Sequence, residues 1–314
     1  MRQNITILIL IILFVISCND KKGKIIFNIK EIKYVTHNSA IVNAEISGEN
    51  YIYDIINEKG ICFAEHNNPT IEDYYIDGKN NFGEFTSYIS GLKANTTYYI
   101  RIYAKTSDGI VYSNSSSIVT KDVEYFTDTR DGQKYPIIKI GNQTWFAANL
   151  NYKTKEGSFY YNNDSTKYAS EYGRLYTYEA ALSGCPDGWH LPSDDEWKQL
   201  EINLGMPLNA VDSSSRGENI GNKMKEPGIR LWDISTDYKA TNESEFTIKP
   251  GGTYSLKENK FYSNGNVAAF WAANTDSNNN NTYTRMFQSY TGIIMRGYPD
   301  KKSTAYSVRC IKNE

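Results

Sequence analysis

The segment Phe270–Arg285, FWAANTDSNNNNTYTR, concentrates side chains that can bind a ligand. Asn274, Asp276 and the asparagines that follow them supply oxygen ligands of the kind that calcium prefers. Trp271 offers a flat apolar ring that can stack on a sugar. The alternative interpretation is a solvated polar loop beside a core tryptophan, because runs of asparagine are typical of surface loops. The residues predicted to contact a ligand are Trp271, Asn274, Asp276, Tyr283 and Arg285.

The histidines lie in separate segments, at His37, His66 and His190. The sequence contains no HExxH, CxxC, GxSxG or phosphate-loop motif. His190 has aspartates nearby in the sequence, but no motif places a serine or cysteine nucleophile beside it. We therefore predict that His190 has a structural role and that the chain is not an enzyme.

The segment Gly184–Trp197, GCPDGWHLPSDDEW, predicts the element that positions the rest of its domain. It opens with a tight turn and the short buried strand Trp189–Leu191. Ser193 and Glu196 have the spacing of a capping box, in which each side chain bonds to the other residue's backbone amide. Apolar residues at spacings of three and four then predict an amphipathic helix that ends at Gly205.

Residues 25–121 predict an all-β sandwich. Apolar residues alternate along Ala40–Ile46 and again along Tyr98–Ala104, which is the period of a half-buried strand. The run Gly91–Tyr98 resembles the corner of fibronectin type III domains, in which a leucine fills the core and a tyrosine hydroxyl bonds to the loop. We predict that Cys62 is a buried free thiol of this sandwich, because no basic side chain adjoins it.

The first residues predict export and lipid attachment. The hydrophobic run Ile5–Ile16 is too short to span a bilayer comfortably, and it follows a basic residue. It ends in Val15-Ile16-Ser17-Cys18, which resembles the bacterial lipobox. That resemblance implies a lipoprotein signal peptide over residues 1–17 and a lipid on Cys18. Residues 18–24 then form a polar tether, so we predict a chain anchored by its lipid in the bacterial outer membrane or at the cell surface.

Several motifs of the second half occur in the order typical of one family. Together with WHLPSDDEW, they resemble the Fibrobacter succinogenes major paralogous domain, which implies a secreted or surface location but no settled activity. They are DGQKYPIIKIGNQTWFAANLNY (Asp131–Tyr152), GRLYTYEAAL (Gly173–Leu182), FTIKPGGTY (Phe246–Tyr254), AAFWAANTD (Ala268–Asp276) and AYSVRCIK (Ala305–Lys312). We assign residues 122–314 to this domain, with the boundary at Asp122–Thr127 and a closing strand at Thr304–Ile311.

WHLPSDDEW and YSVRCIK are also similar to segments of formylglycine-generating enzymes. This similarity implies an α+β fold of the C-type-lectin-like or sulfatase-modifying-factor-like kind for residues 122–314. Those enzymes need a reactive cysteine pair, whereas Cys185 and Cys310 match the ends of the scaffold. The resemblance therefore implies a shared fold but not a shared activity. In an exported protein these two cysteines are expected to form a disulfide closing a loop of about 125 residues, with a metal-binding pair as the alternative.

The charge balance and the tyrosine content of the chain favour some classes of function over others. The 34 Lys and Arg residues nearly balance the 36 Asp and Glu residues, so no field favours a nucleic-acid partner. The 26 tyrosines suit aromatic β cores or a carbohydrate-binding surface. We predict a non-catalytic binding or adhesion module for a glycan or a surface protein. The module needs no cofactor, and the alternative is a bound calcium ion. The alternatives are an enzyme on a formylglycine-generating-enzyme-like scaffold and a structural or assembly component of the cell surface.

Overall fold

The computed structural model describes most of the chain, namely residues 24–49, 55–78, 83–233, 239–273 and 281–314. Cys18, Asn274 and Asp276 lie outside the described residues, so lipid attachment and the asparagine-rich loop stay predictions. None of the helices formed by the described residues is long and apolar enough to cross a membrane.

Contacts divide the chain into two compact units. The first comprises the described residues of Met1–Val35, Ala40–Ile89 and Thr96–Thr120, and the second comprises Thr36–Ser39, Ser90–Asn95 and the described residues of Lys121–Glu314. The first unit consists mainly of β-strands, as the sequence predicts, and the second combines β-strands with helices.

The first unit contains two sheets. One sheet has the order β1-β2-β5, and the other has the order β4-β3-β6-β7, with β8 also paired to β6. The strands are β1 (Ile25–Lys33), β2 (Ser39–Gly48), β3 (Ile56–Ala64), β4 (Tyr74–Asp77), β5 (Gly83–Ser90), β6 (Thr97–Thr106), β7 (Gly109–Tyr112) and β8 (Ser116–Val119).

The alternating apolar residues of the first unit form its core. Val42, Ala44 and Ile46 of β2 are buried, as are Ile100 and Ile102 of β6, because alternate side chains of a strand point to the same face. Cys62 is buried as predicted, and its Sγ donates to the carbonyl oxygen of Pro69 at 3.3 Å. Burial raises the pKa of the Cys62 thiol to about 11, which keeps it protonated and unreactive.

The second unit combines short strands with four α-helices among its described residues. Its strands up to the signature segment are β9 (Glu124–Thr127), β10 (Lys134–Ile140), β11 (Gln143–Phe146), β12 (Ser158–Phe159), β13 (Leu175–Tyr176) and β14 (Trp189–His190). The later strands are β15 (Ser215–Arg216), β16 (Thr253–Ser255), β17 (Lys260–Tyr262), β18 (Val267–Trp271), β19 (Thr284–Gln288), β20 (Ile294–Gly297), β21 (Thr304–Ala305) and β22 (Ile311–Lys312). The helices are a 3-10 turn at Tyr161–Asn163, α1 (Ser165–Tyr172), α2 (Tyr178–Leu182), α3 (Asp194–Asn203) and α4 (Ile220–Met224).

These strands form four sheets, with the orders β14-β22-β11-β10-β9, β12-β13, β15-β20-β19-β18 and β17-β16-β21. The helix of the signature segment, α3, contributes Trp197 and Leu200 to the larger core, where the ring of Trp197 lies 5.0 Å from that of Trp145. A second cluster contains Trp189 and Trp271. The signature helix therefore packs into the core of this unit, as its apolar spacing predicts.

The predicted boundary Asp122–Thr127 is partly a strand. β9 pairs with β10 in a register that sets Phe126 opposite Tyr135. The ring of Phe126 lies 5.3 Å from that of Trp189, so one face of β9 packs on the core of the second unit. The boundary therefore precedes the strand, because these ring contacts hold β9 to the sheet.

The predicted closing strand Thr304–Ile311 is wrong. The structure contains β21 and β22 instead, in two different sheets. Between them, Arg309 is fully buried and donates to the carbonyl oxygens of Phe246 at 2.6 Å and Thr247 at 2.7 Å. Burial lowers the pKa of the Arg309 guanidinium to about 9. The backbone itself changes partners along the segment, since the amide of Ser307 donates to the carbonyl oxygen of Ala269 at 2.9 Å and the carbonyl oxygen of Val308 accepts from the amide of Leu150 at 2.9 Å. The segment therefore does not pair with one neighbour as a single strand.

Candidate ligand-binding site at the base of loop 274–280

The segment that leads into α3 is fixed by a capping box and contacts the residue before the loop. The Ser193 hydroxyl accepts from the amide of Glu196 at 3.2 Å, and the amide of Ser193 donates to Glu196 Oε2 at 2.7 Å. Both bonds are those that the Ser193–Glu196 spacing predicts. Just before this cap, the carbonyl oxygen of Pro192 accepts from the amide of Ala273 at 2.7 Å. The signature segment therefore fixes the residue from which the loop begins.

The second end of the loop is held in a similar way. The amide of Thr282 donates to the carbonyl oxygen of Pro299 at 3.2 Å, and Asn281 forms a β-bridge with Asp300. The buried Thr282 hydroxyl also donates to the carbonyl oxygen of Ala272 at 2.8 Å, which ties the two ends together. We call this arrangement of residues 272–273 and 281–282 the loop base.

An aromatic pair adjoins the loop base. The rings of Tyr283 and Tyr298 lie 4.8 Å apart, and Tyr298 is 40% exposed. The Arg296 guanidinium lies 3.6 Å from the centre of the half-buried Tyr283 ring, within the range of a cation–π contact. Tyr283, which was predicted to contact a ligand, therefore has a partly accessible ring. Arg296 and Tyr298 were not identified from the sequence, because only the pairing of β19 with β20 brings them to Tyr283.

Two hydrogen bonds to the Asp194 carboxylate hold the Arg296 side chain in place. Its Nε and Nη2 donate to the two carboxylate oxygens of Asp194 at 2.9 and 2.6 Å. Burial on its own raises the pKa of Asp194, but hydrogen bonds and charge from Arg296 and Arg285 hold that pKa well below its ordinary value. Asp194 therefore stays ionised at physiological pH, and it keeps the Arg296 guanidinium against Tyr283.

Arg285 belongs to the core rather than to a ligand surface, so its predicted contact with a ligand is wrong. Its Nε donates to Glu201 Oε1 at 2.6 Å, and Arg216 Nη2 donates to Glu201 Oε2 at 2.6 Å. The side chains of all three residues are fully buried. Arg285 also pairs with Asp194 at 2.8 Å, which links this buried triad to the support of Arg296.

The predicted stacking of a sugar on Trp271 is also wrong. The ring is fully buried, and its Nε1 donates to the carbonyl oxygen of Tyr176 at 2.7 Å. The rings of Tyr306 and Tyr178 pack against it at 4.6 and 5.5 Å. Trp271 is therefore the core tryptophan of the alternative interpretation.

His190 binds a glutamate instead of an aspartate. Its Nε2 lies 2.8 Å from Glu196 Oε1, and its Nδ1 lies 2.7 Å from Asn313 Oδ1. Ser193 Oγ lies 2.8 Å from the other oxygen of the same carboxylate. A hydrolytic triad needs the histidine between the nucleophile and the acid, whereas here the acid lies between the serine and the histidine. This group fixes the cap and the C-terminal segment.

Cys185 and Cys310 form the expected disulfide, which spans 125 residues. It joins the segment before β14 to the segment before β22, and Cys310 is fully buried. The Arg130 guanidinium donates to the carbonyl oxygen of Gly184 at 2.9 Å and stacks on the Tyr152 ring at 3.7 Å, which secures one side of the bond. Among the described residues, no group of three or more His, Cys, Asp and Glu side chains is placed to hold a metal ion.

The second unit is thus a disulfide-closed, β-rich domain organised around a capped helix, with an aromatic pair beside the loop base. The model of the Fibrobacter succinogenes major domain matches residues 138–312 of the chain. The chain belongs to that family. No curated protein is similar enough to this chain to count as a match.

Proposed function

We propose that this protein is a lipid-anchored bacterial surface protein whose second unit is a non-catalytic module that binds glycans. The observation that carries the proposal is the aromatic pair Tyr283–Tyr298, partly exposed and supported by Arg296 beside the loop base. A tyrosine ring can stack on the apolar face of a sugar while its hydroxyl bonds to the sugar's own hydroxyls. The loop itself would add Asn274 and Asp276 as polar contacts or as calcium ligands.

The rigid setting of Tyr283 favours binding. The Arg296 guanidinium on one side and the Tyr298 ring on another restrict it before any ligand arrives. A side chain that is already ordered loses little conformational entropy on binding, so more of the stacking energy contributes to affinity.

The proposal includes finer fold assignments. The first unit would be a fibronectin type III-like spacer, supported by the buried Tyr98 of the corner motif on β6. The second would have a C-type-lectin-like fold, for which the signature segment and the closing β22 are the supporting features.

Removing one ring of the pair tests the binding site. In a glycan array probed with the full chain in detergent, with calcium and with a chelator, Tyr298→Ala should weaken binding about two- to tenfold, the value of one aromatic contact. The matched control is Tyr290→Ala, since Tyr290 is 70% exposed in the turn at the other end of the β19–β20 hairpin. Equal binding by the two variants contradicts the assigned site, and no binding by the unaltered chain contradicts the glycan proposal.

The anchor has its own test. Cys18→Ala should leave the precursor without lipid and move it from the detergent phase to the aqueous phase in a detergent partition assay, because the acyl chains supply the membrane affinity. Cys62→Ala is the control, since its thiol is buried in β3. Partitioning of the Cys18 variant with the detergent phase, as for the unaltered chain, would rule out this anchor.

The enzyme alternative makes a different prediction. Copper- and oxygen-dependent turnover of a cysteine-containing peptide, abolished by Cys185→Ser in a chain that stays folded, would replace the binding proposal. The binding proposal expects no such turnover, because Cys185 and Cys310 are joined in a disulfide and so offer no thiolate to a copper ion.

A further inference from the structure

Arg174 of the GRLYTYEAAL motif is a buried cation that has no acid partner. It is 9% exposed, and its Nε donates to the carbonyl oxygen of Asn151 at 3.1 Å. Among the described residues, no carboxylate pairs with it, and its terminal nitrogens Nη1 and Nη2 have no hydrogen-bond partner. Neither of these nitrogens is fully enclosed, so both reach solvent. Because a buried charge is costly unless it is paired, this guanidinium has bonding capacity that the protein leaves unused.

The other buried arginines of the described residues use their terminal nitrogens within the protein. Arg216 Nη2 donates to Glu201 Oε2 at 2.6 Å, and its Nη1 donates to a backbone carbonyl oxygen at 3.1 Å. In Arg285 and Arg309, both terminal nitrogens donate to backbone carbonyl oxygens at 2.6–3.3 Å. Arginines that only support the core of this unit are therefore fully paired, and the open edge of Arg174 is an exception that indicates a ligand.

Tyr160 covers one face of the Arg174 guanidinium. β12 and β13 pair with Phe159 opposite Leu175, so Tyr160, which follows β12, lies opposite Arg174, which precedes β13. The guanidinium carbon lies 3.7 Å from the centre of the half-buried Tyr160 ring. The Tyr160 hydroxyl has no hydrogen-bond partner in the described part of the chain, so it can bond to a ligand that Arg174 holds.

The position of Arg174 is fixed by the backbone that it contacts. Gln133 Nε2 also donates to the carbonyl oxygen of Asn151, at 3.2 Å, and the amide of Asn151 donates to the Tyr135 hydroxyl at 3.1 Å. The amide of Arg174 donates to the carbonyl oxygen of Leu150 at 3.1 Å. Asn151 Oδ1 is buried and has no partner among the described residues, which adds a second unused polar group. Binding at this ordered position would cost little further side-chain entropy.

The open edge of Arg174 fits a carboxylate. A guanidinium presents parallel N–H bonds in a planar fork, which match the two oxygens of a carboxylate. The acids of the neighbouring turns, Asp131 and Glu156, are exposed and do not pair with Arg174, so they leave the edge available. Lys153 and Lys155, which are exposed on the segment between β11 and β12, add positive charge to the same region. The local charge therefore favours an anion.

We propose that Arg174 binds the carboxylate of a uronic acid, at a site for acidic glycans separate from the aromatic pair Tyr283–Tyr298. The choice of a sugar acid rests on the proposed glycan-binding function. The unpaired Tyr160 hydroxyl and Asn151 Oδ1 suit the ring hydroxyls of such a sugar, whereas the guanidinium selects for its charge.

Isothermal titration calorimetry of the full chain in detergent tests the proposal, with oligosaccharides of galacturonate, mannuronate and glucuronate as ligands. At least one of them should bind the unaltered chain, and its neutral methyl ester should bind much more weakly. Arg174→Gln should weaken binding about ten- to hundredfold, because a charge-assisted pair is lost. Arg174→Lys should fall between the two, since lysine keeps the charge but not the fork. Arg101→Gln is the matched control, because Arg101 stacks on Tyr112 at 4.5 Å in the first unit and its loss changes the net charge equally.

A more conservative variant tests the site even if Arg174→Gln does not fold. Tyr160→Phe keeps the ring against the guanidinium and removes only the hydroxyl, so it should weaken binding about two- to tenfold. The urea midpoint of tryptophan fluorescence shows whether each variant is folded.

Four results would overturn the proposal: no binding of any of the uronates, equal binding of an acid and its methyl ester, equal affinity of folded Arg174→Gln and Arg101→Gln, or equally strong binding of acetate or sulfate, which would assign the site to small anions. This site and the aromatic pair fail separately. Tyr298→Ala should leave uronate binding intact, and Arg174→Gln should leave binding to neutral glycans intact. Loss of uronate binding with Tyr298→Ala but not with Arg174→Gln would assign the acid to the aromatic pair and overturn the separate site.

Discussion

Glu201→Ala is expected to lower the free energy of unfolding of the second unit by about 3–5 kcal/mol, because it leaves Arg216 and Arg285 charged, buried and without their shared carboxylate. Both guanidinium groups are fully buried, so water cannot replace the lost bonds without opening the core. Urea unfolding followed by tryptophan fluorescence measures the loss. All five tryptophans lie between Trp145 and Trp271, so this signal reports on the second unit alone.

Two further variants distinguish the effect of an unpaired buried charge on stability from a general effect of mutating α3. Asp195→Ala removes an acid of the same helix whose side chain is 91% exposed, and it should leave the urea midpoint almost unchanged. Replacing the triad together, as Glu201→Leu with Arg216→Met and Arg285→Met, should recover much of the stability, because an apolar set of similar size has no desolvation cost. A single Glu201→Ala variant as stable as the unaltered chain would show that the triad contributes no net stability.

Removal of the Cys185–Cys310 bond should have an effect of similar size. The bond closes a loop of 125 residues, for which the chain-entropy model gives about 4–5 kcal/mol. Cys185→Ala with Cys310→Ala should therefore shift the urea midpoint of the tryptophan signal strongly. Adding a reductant should shift the unaltered chain in the same direction.

The control for this experiment is Cys62→Ala. Cys62 is the free cysteine of the described residues and lies in the first unit, which has no tryptophan. The tryptophan transition should therefore stay in place, whatever the first unit loses. An equal shift in the double variant and in Cys62→Ala would show that the disulfide is not the cause.

Part of the candidate site could be read from the sequence and part could not. Tyr283 was identified because it follows the asparagine-rich loop, and the structure places it beside Tyr298 and Arg296. Arg296 lies on β20 and Tyr298 directly follows that strand, and no local pattern links them to Tyr283. Their proximity depends on the register of β19 with β20, in which Thr284 lies opposite Gly297. Register follows from the packing of a whole sheet and not from the neighbours of one residue.

Trp271 and Arg285 were wrongly predicted to contact a ligand because no local pattern indicates that they are buried. β18 is buried on both faces, with Ala268, Ala269 and Phe270 fully covered, so it lacks the alternation that would show which way Trp271 points. Arg285 is a charged residue, and charged residues are rarely fully buried. Its acceptor Glu201 is 84 positions away in the sequence, so nothing local indicates the pairing.

The sequence by itself determined the features that rest on local contacts and on chain-wide chemistry. The capping box and the start of α3 depend on hydrogen bonds between residues a few positions apart, so Ser193 and Glu196 were enough to predict them. The family was evident from motifs in order, and the disulfide followed from the expectation that the two cysteines of an exported domain pair with each other. Only the tertiary structure decided which side chains are exposed, that residues 304–312 contribute β21 and β22 to two different sheets, and that Glu201 pairs with Arg285. These outcomes depend on segments far apart in the sequence, whose approach is set by the packing of the whole core and not by any short stretch of residues.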